Sequence, residues 1–139
     1  MRRVLGALLL CLAVACSSSD STSPGNGALS GNYTLRTANG VAVPGVASQD
    51  ATGIYEVLHG RIVLRSDLTF VDSLNARFTP TGGSAQTGTD VREGVYEQNG
   101  DNVTLTFTYQ GAPVNYALTW VDVNTLAYSE PQLSLIYKR

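Results

Sequence analysis

Residues 103–110 read Val-Thr-Leu-Thr-Phe-Thr-Tyr-Gln, and this stretch decides the fold. Val103, Leu105, Phe107 and Tyr109 alternate with Thr104, Thr106, Thr108 and Gln110, so one face is apolar and the other polar at the period of a β-strand. Just before it, Asn99, Gly100, Asp101 and Asn102 are residues that tolerate positive φ. Residues 92–98 should therefore fold back on it as a hairpin. Gly111, Ala112 and Pro113 end the run on the other side.

The same pattern extends in both directions. Tyr116, Leu118 and Trp120 alternate with Asn115, Ala117, Thr119 and Val121, and Asp122, Val123 and Asn124 turn the chain towards strands at 125–129 and 133–138. Upstream, residues 33–37 and 54–58 read as strands. Ile62 and Leu64 mark another that ends at Ser66 and Asp67, and Phe70, Leu74, Ala76 and Phe78 mark a longer one. Short strands separated by turn residues, with no helical period, indicate an all-β antiparallel domain. About eight strands joined in sequence order predict an up-and-down barrel, because closure removes the exposed edges of a flat meander. A two-sheet sandwich is the alternative, since alternation alone does not separate a closed sheet from two facing ones.

The N-terminus carries a different signal. Arg2 and Arg3 precede an apolar run from Val4 that ends Leu12-Ala13-Val14-Ala15-Cys16. A charged start followed by a short apolar segment is the layout of a secretory signal, and it is shorter than the roughly 20 residues of a membrane-spanning helix. Residues 1–15 are thus expected to be removed. Residues 16–30 hold six Ser together with Thr22, Pro24, Asn26 and two Gly, the composition of a flexible tether. Residues 31–139 form the one folded domain.

Leu12 through Cys16 resembles the lipobox of bacterial lipoproteins. That resemblance implies cleavage before Cys16, a diacylglycerol on its thiol and a fatty acyl group such as palmitate on its amine. Several chains on one residue make a stable anchor where a single chain does not. Ser17 and Ser18, in place of an Asp after the cysteine, imply an outer-membrane destination within the bacterial cell envelope. The alternative is an ordinary signal cut nearby, which leaves Cys16 a stray thiol or removes it.

The domain itself resembles small bacterial lipocalin-like barrels. The residues that carry the likeness are Gly31-Asn32-Tyr33-Thr34-Leu35, the strand-turn-strand over 61–70, Gly94-Val95-Tyr96, and residues 103–107. The resemblance implies a barrel that takes a small apolar molecule.

Composition excludes several function classes. Without residues 1–15 the chain loses two of its nine Lys and Arg and none of its eleven Asp and Glu, which leaves a net charge of −4. No basic cluster is present to hold a phosphate backbone, so nucleic acid is not an expected partner. Cys11 falls in the signal and Cys16 at the anchor, so the domain has no disulfide or thiolate chemistry. His59 is the single histidine, expected in an exposed turn beside Gly60. No metal-ligand set, nucleophile–base pair or cofactor motif accompanies it, and no enzyme activity is expected. The run from Gly82 to Gly88 lacks the Lys and the following helix of a phosphate-binding loop and is expected to be a flexible loop near the barrel mouth.

Candidate pocket residues follow from the alternation. Tyr33, Tyr96, Phe107, Tyr116 and Trp120 supply an aromatic interior that either lines a cavity or fills it. Strict alternation from Phe70 places the Asp72 carboxylate among apolar residues, where it needs a partner, and Arg92 is the candidate partner. A β-bulge near Asp72 that turns it outward is the competing possibility. Glu56, between Ile54 and Leu58, poses the same question. The expected function is a non-enzymatic binding module, held to the membrane by its lipid, for a small apolar ligand. The alternative is a packed barrel whose surface loops, around residues 82–90, bind another envelope protein.

Overall fold

Cross-strand pairing of these alternating segments gives ten antiparallel strands: β1 (Gly31–Ala38), β2 (Val41–Ala42), β3 (Gly45–Gln49), β4 (Gly53–Leu64), β5 (Thr69–Pro80), β6 (Gln86–Asn99), β7 (Asn102–Tyr109), β8 (Ala112–Asp122), β9 (Thr125–Glu130) and β10 (Leu133–Lys138). The computed structural model describes residues 29–139. The signal segment, Cys16 and the tether up to residue 28 lie outside the described residues.

Eight strands form a ring in the order β1-β10-β9-β8-β7-β6-β5-β4, and β4 returns to β1 through pairs from Gly31↔Leu64 to Thr34↔Arg61. From β4 to β10 each strand is the antiparallel neighbour of the next, so the barrel is up-and-down. Closure of the ring excludes the two-sheet sandwich. β2 and β3 are additions beyond the eight expected: β2 extends β1 and β3 extends β4 above the point where β1 and β4 part. Their sequences, two residues in one case and Gly-Val-Ala-Ser-Gln in the other, carry too little alternation to be read as strands.

Two expected strands, 54–58 and 62–64, are one. β4 runs unbroken through a register shift between Val57 and His59, and the extra residue changes which parity faces inward. Val57, Gly60, Ile62 and Leu64 are all buried, while Glu56 lies on the outer side and pairs with Arg77 at 2.6 Å. The shift settles the Glu56 question, which alternation without a bulge cannot. His59 is exposed as expected but sits in mid-strand opposite Asn75, not in a turn. Gly60 beside it meets a packing need: a Cβ there would stand 3.0 Å from Leu35 and 3.1 Å from Leu74.

The barrel has two unlike ends. β1 starts, β10 finishes, and the β4–β5, β6–β7 and β8–β9 turns all lie at one end, which is filled. Tyr33, Leu64, Phe70, Leu105, Leu118 and Leu126 are 2% exposed or less. Leu29 plugs this end at 0% exposure, and the Tyr33 hydroxyl donates to its carbonyl at 2.8 Å. An Arg139 guanidinium N–H donates to the same hydroxyl at 3.0 Å, and the guanidinium carbon stands 5.1 Å from the Tyr33 ring centre.

At the other end the strands diverge. β6 pairs with β5 from Thr69↔Val95 up to Phe78↔Gln86, but it meets β7 only from Gly94↔Phe107 downward. Among the described residues, 86–93 of β6 therefore have no ladder on the β7 side. Gly94 stands at the branch point: a Cβ there would lie 2.0 Å from the Thr106 carbonyl oxygen, so only glycine permits this approach of the two backbones. The expected loop from Gly82 to Gly88 is correspondingly short. Gln86–Asn99 is strand, Gly88 pairs with Ala76, and only residues 81–85 turn. A Gly- and Thr-rich segment reads as loop, yet here β5 supplies a partner for it from Gln86 onward.

Candidate functional site at the barrel mouth

The diverging strands leave an open concavity at this end, in two connected parts that share Asp90 and Arg92. One, of about 500 Å³, lies against β4, β5 and the upper part of β6, with Tyr55, Leu74 and Phe78 in its wall. The other, of about 590 Å³, occupies the gap between β6 and β7–β9 and is walled by Phe107, Val114, Tyr116 and Tyr128. Both volumes are in the range of small-molecule sites.

Arg92 is the hub. It pairs across the ladder with Asp72, and the ladder from residue 69 to residue 78 has no register shift, so Asp72 faces inward and the outward-turning bulge does not occur. Arg92 Nε and Nη2 both donate to Asp90 Oδ2, at 2.9 and 2.5 Å. Its Nη1 stands 3.8 Å from Asp72 Oδ2, too far for a direct hydrogen bond. Its guanidinium carbon is 5.5 Å from the ring centres of both Phe107 and Tyr116, within cation–π range. The Tyr116 ring in turn stacks on Tyr128, with centroids 4.3 Å apart.

Asp72 is held by charge alone. Only 3% of the residue is exposed, and its Oδ1 is buried without a hydrogen-bond partner. Burial pushes its carboxyl pKa up to about 6, against the pull of Arg92 and with a small further push from Asp90. Burial also raises the Tyr116 and Tyr137 phenols far above their ordinary range, so both stay neutral at any physiological pH. Tyr128 is pushed up to about 12, first by burial and then by the neighbouring Glu130 carboxylate.

The seven residues singled out by sequence divide between the two ends. Asp72, Arg92, Phe107 and Tyr116 meet at the mouth. Tyr33, Tyr96 and Trp120 are packed into the filled end, at 0%, 3% and 4% exposure, away from the concavity. The Tyr96 hydroxyl donates to the Arg65 carbonyl at 2.7 Å, whereas the buried Trp120 indole N–H has no partner. Alternation tells inward from outward, but not top from bottom.

Five further residues at or beneath the mouth were not singled out: Tyr55, Asp90, Tyr128, Glu130 and Tyr137. Asp90 shares the parity of Arg92 and was legible on that ground, had the strand been extended below residue 92. Tyr128 and Glu130 likewise share the parity of Leu126. Among the described residues no group of three or more His, Cys, Asp or Glu side chains gathers as a metal site. In comparisons with protein-family models, with curated proteins and with solved structures, nothing matches this chain.

Proposed function

We propose that this protein is a lipid-anchored component of the bacterial cell envelope whose barrel binds a small, largely apolar ligand in its mouth. The observation that carries the reading is the open aromatic-walled concavity above a filled barrel end, with a single charged cluster in its centre. Apolar walls supply the burial that drives binding of a small molecule, and a few convergent polar groups orient it. The two ends fit the division between anchor and site. Leu29 lies at the filled end, so the described chain begins on the side opposite the mouth, as a site facing away from an N-terminal anchor requires.

Native mass spectrometry of the protein extracted gently from its membrane tests the binding. A stoichiometric small-molecule adduct that is lost on unfolding is the expected result, and bare protein under the same conditions counts against it. The anchor is tested separately by Cys16→Ala. The variant should leave the membrane fraction, and equal retention of variant and wild type would defeat the lipid-anchor reading while leaving the binding reading intact.

A further inference from the structure

The charges around the mouth are unbalanced in a way that specifies the ligand's own charge. The part of the concavity between β6 and β7–β9 is bordered by three carboxylates, Asp90, Glu93 and Glu130, and by one guanidinium, Arg92. The Arg92 charge is already engaged, since two of its nitrogens donate to Asp90 and a third faces Asp72. An incoming anion would have to displace Asp90 and then sit beside the remaining carboxylates. An incoming cation would meet those carboxylates and the aromatic faces, which attract positive charge through their quadrupoles. The structure already shows that these walls accept a cation, because the Arg92 guanidinium rests 5.5 Å from both the Phe107 and the Tyr116 ring centres.

The buried floor has the same polarity. Asp72 lies under Arg92 with a side chain only 5% exposed, and one of its oxygens has no hydrogen-bond partner. Nothing positive besides Arg92 stands among the residues that border either part of the concavity. The field at the mouth is therefore negative, and the low dielectric of the walls strengthens it.

We infer that the ligand is a small organic cation, an amine or quaternary ammonium on an apolar body, with its charge between Glu130 and Asp90 and its body along Phe107, Tyr116 and Val114. This rests on the ligand-binding reading above and gives it a chemical class. Glu130 is placed for the role. It stands two residues from Tyr128 on β9 and borders the same part of the concavity, and Tyr128 stacks on Tyr116, so the anionic group lies beside the aromatic wall.

The test uses three probes of one chain length: hexyltrimethylammonium, hexanoate and hexanol. Each is titrated by calorimetry and by NMR into the chain from Ser17 to Arg139, which contains every barrel strand. Hexyltrimethylammonium should bind about ten-fold more tightly than hexanoate, and its affinity should fall as salt is raised. Glu130→Gln keeps the size of the side chain and removes the charge, and should weaken the cation about five-fold. Phe107→Leu keeps an apolar wall and removes the π face, and should weaken it about three-fold or more.

Circular dichroism of both variants checks that the barrel is intact. Hexanoate or hexanol binding as tightly as the cation would overturn the charge assignment while leaving a ligand-binding barrel. Cation binding that ignores both substitutions would overturn the location. Failure of all three probes to bind would count against the ligand-binding reading itself.

Discussion

Asp72→Asn should stabilise the barrel at neutral pH relative to its effect near pH 4. In the folded chain the carboxyl pKa is raised from 3.8 to about 6, chiefly by burial. In the unfolded chain it titrates in its ordinary range. Between those two values the folded state holds a proton that the unfolded state has lost, so the stability contributed by this group is complete below about pH 4. It falls as pH rises through about 6. At 1.36 kcal/mol per unit, the loss is about 3 kcal/mol. Asn cannot ionise, so the variant escapes it.

The observable is the difference in unfolding free energy between variant and wild type, from urea titrations followed by Trp120 fluorescence at pH values from 4 to 8. Trp120 is 4% exposed in the folded barrel and reports its opening. Comparing the two proteins removes the other titrations. Asp50, Asp67 and Asp122 have lowered pKa values because neighbouring hydroxyls or backbone N–H groups bond them, and Glu56 because Arg77 does. All four give stability that is lost as pH falls, but equally in both chains. The difference should grow by about 3 kcal/mol in favour of Asn between pH 4 and pH 7. A difference that stays flat with pH, or that grows in favour of Asp, would mean that Arg92 compensates the buried charge in full and would refute the argument.

Four further substitutions probe the frame. Gly94→Ala should cost about 3 kcal/mol or more, or prevent folding, because its Cβ meets backbone atoms of Thr106 and Phe107 that cannot swing away; chemical denaturation near wild-type stability would contradict this. Tyr33→Phe removes the hydroxyl that bonds Leu29 and Arg139 and should lower stability by about 1–2 kcal/mol, with hydrogen exchange accelerated first at the start of β1. Leu105→Ala, in the filled half at 1% exposure, should cost about 2–5 kcal/mol by the same urea assay, whereas Val91→Ala, 55% exposed on β6, should fall within about 0.5 kcal/mol.

The barrel was legible because its strands announce themselves one at a time. Residues 103–110 carry their alternation locally, and the turn at residues 99–102 fixes their partner, as the ladder from Gly94↔Phe107 to Asn99↔Asn102 shows. What the sequence conceals depends on the partner strand. Residues 86–91 have no apolar alternation, and they are strand because β5 pairs with them. The bulge at Leu58 is concealed for a related reason: the parity of β4 is set by what β1, β3 and β5 offer on each side of it. The candidate site was half visible. Asp72 and Arg92 were linked by parity alone, but the separation of Tyr33, Tyr96 and Trp120 from them is a matter of height along the barrel, which alternation does not encode.

The two ends differ in how their buried hydroxyl and carboxyl groups are satisfied. In the filled half the Tyr33 and Tyr96 hydroxyls are buried and each donates to a backbone carbonyl, so their burial costs little. At the mouth Asp72 is as deeply buried, has one oxygen without a partner, and meets its only cation at 3.8 Å. An apolar side chain at this position would continue the apolar alternation of Phe70 and Leu74 on β5 without the penalty. A group that opposes folding at neutral pH, at the base of an aromatic-walled opening and beneath an arginine already shared with Asp90, fits the proposed role of that opening as a ligand site. For the positively charged ligand proposed above, that buried carboxylate would add to the pull of Glu130 and Asp90 while balancing part of the Arg92 charge from below.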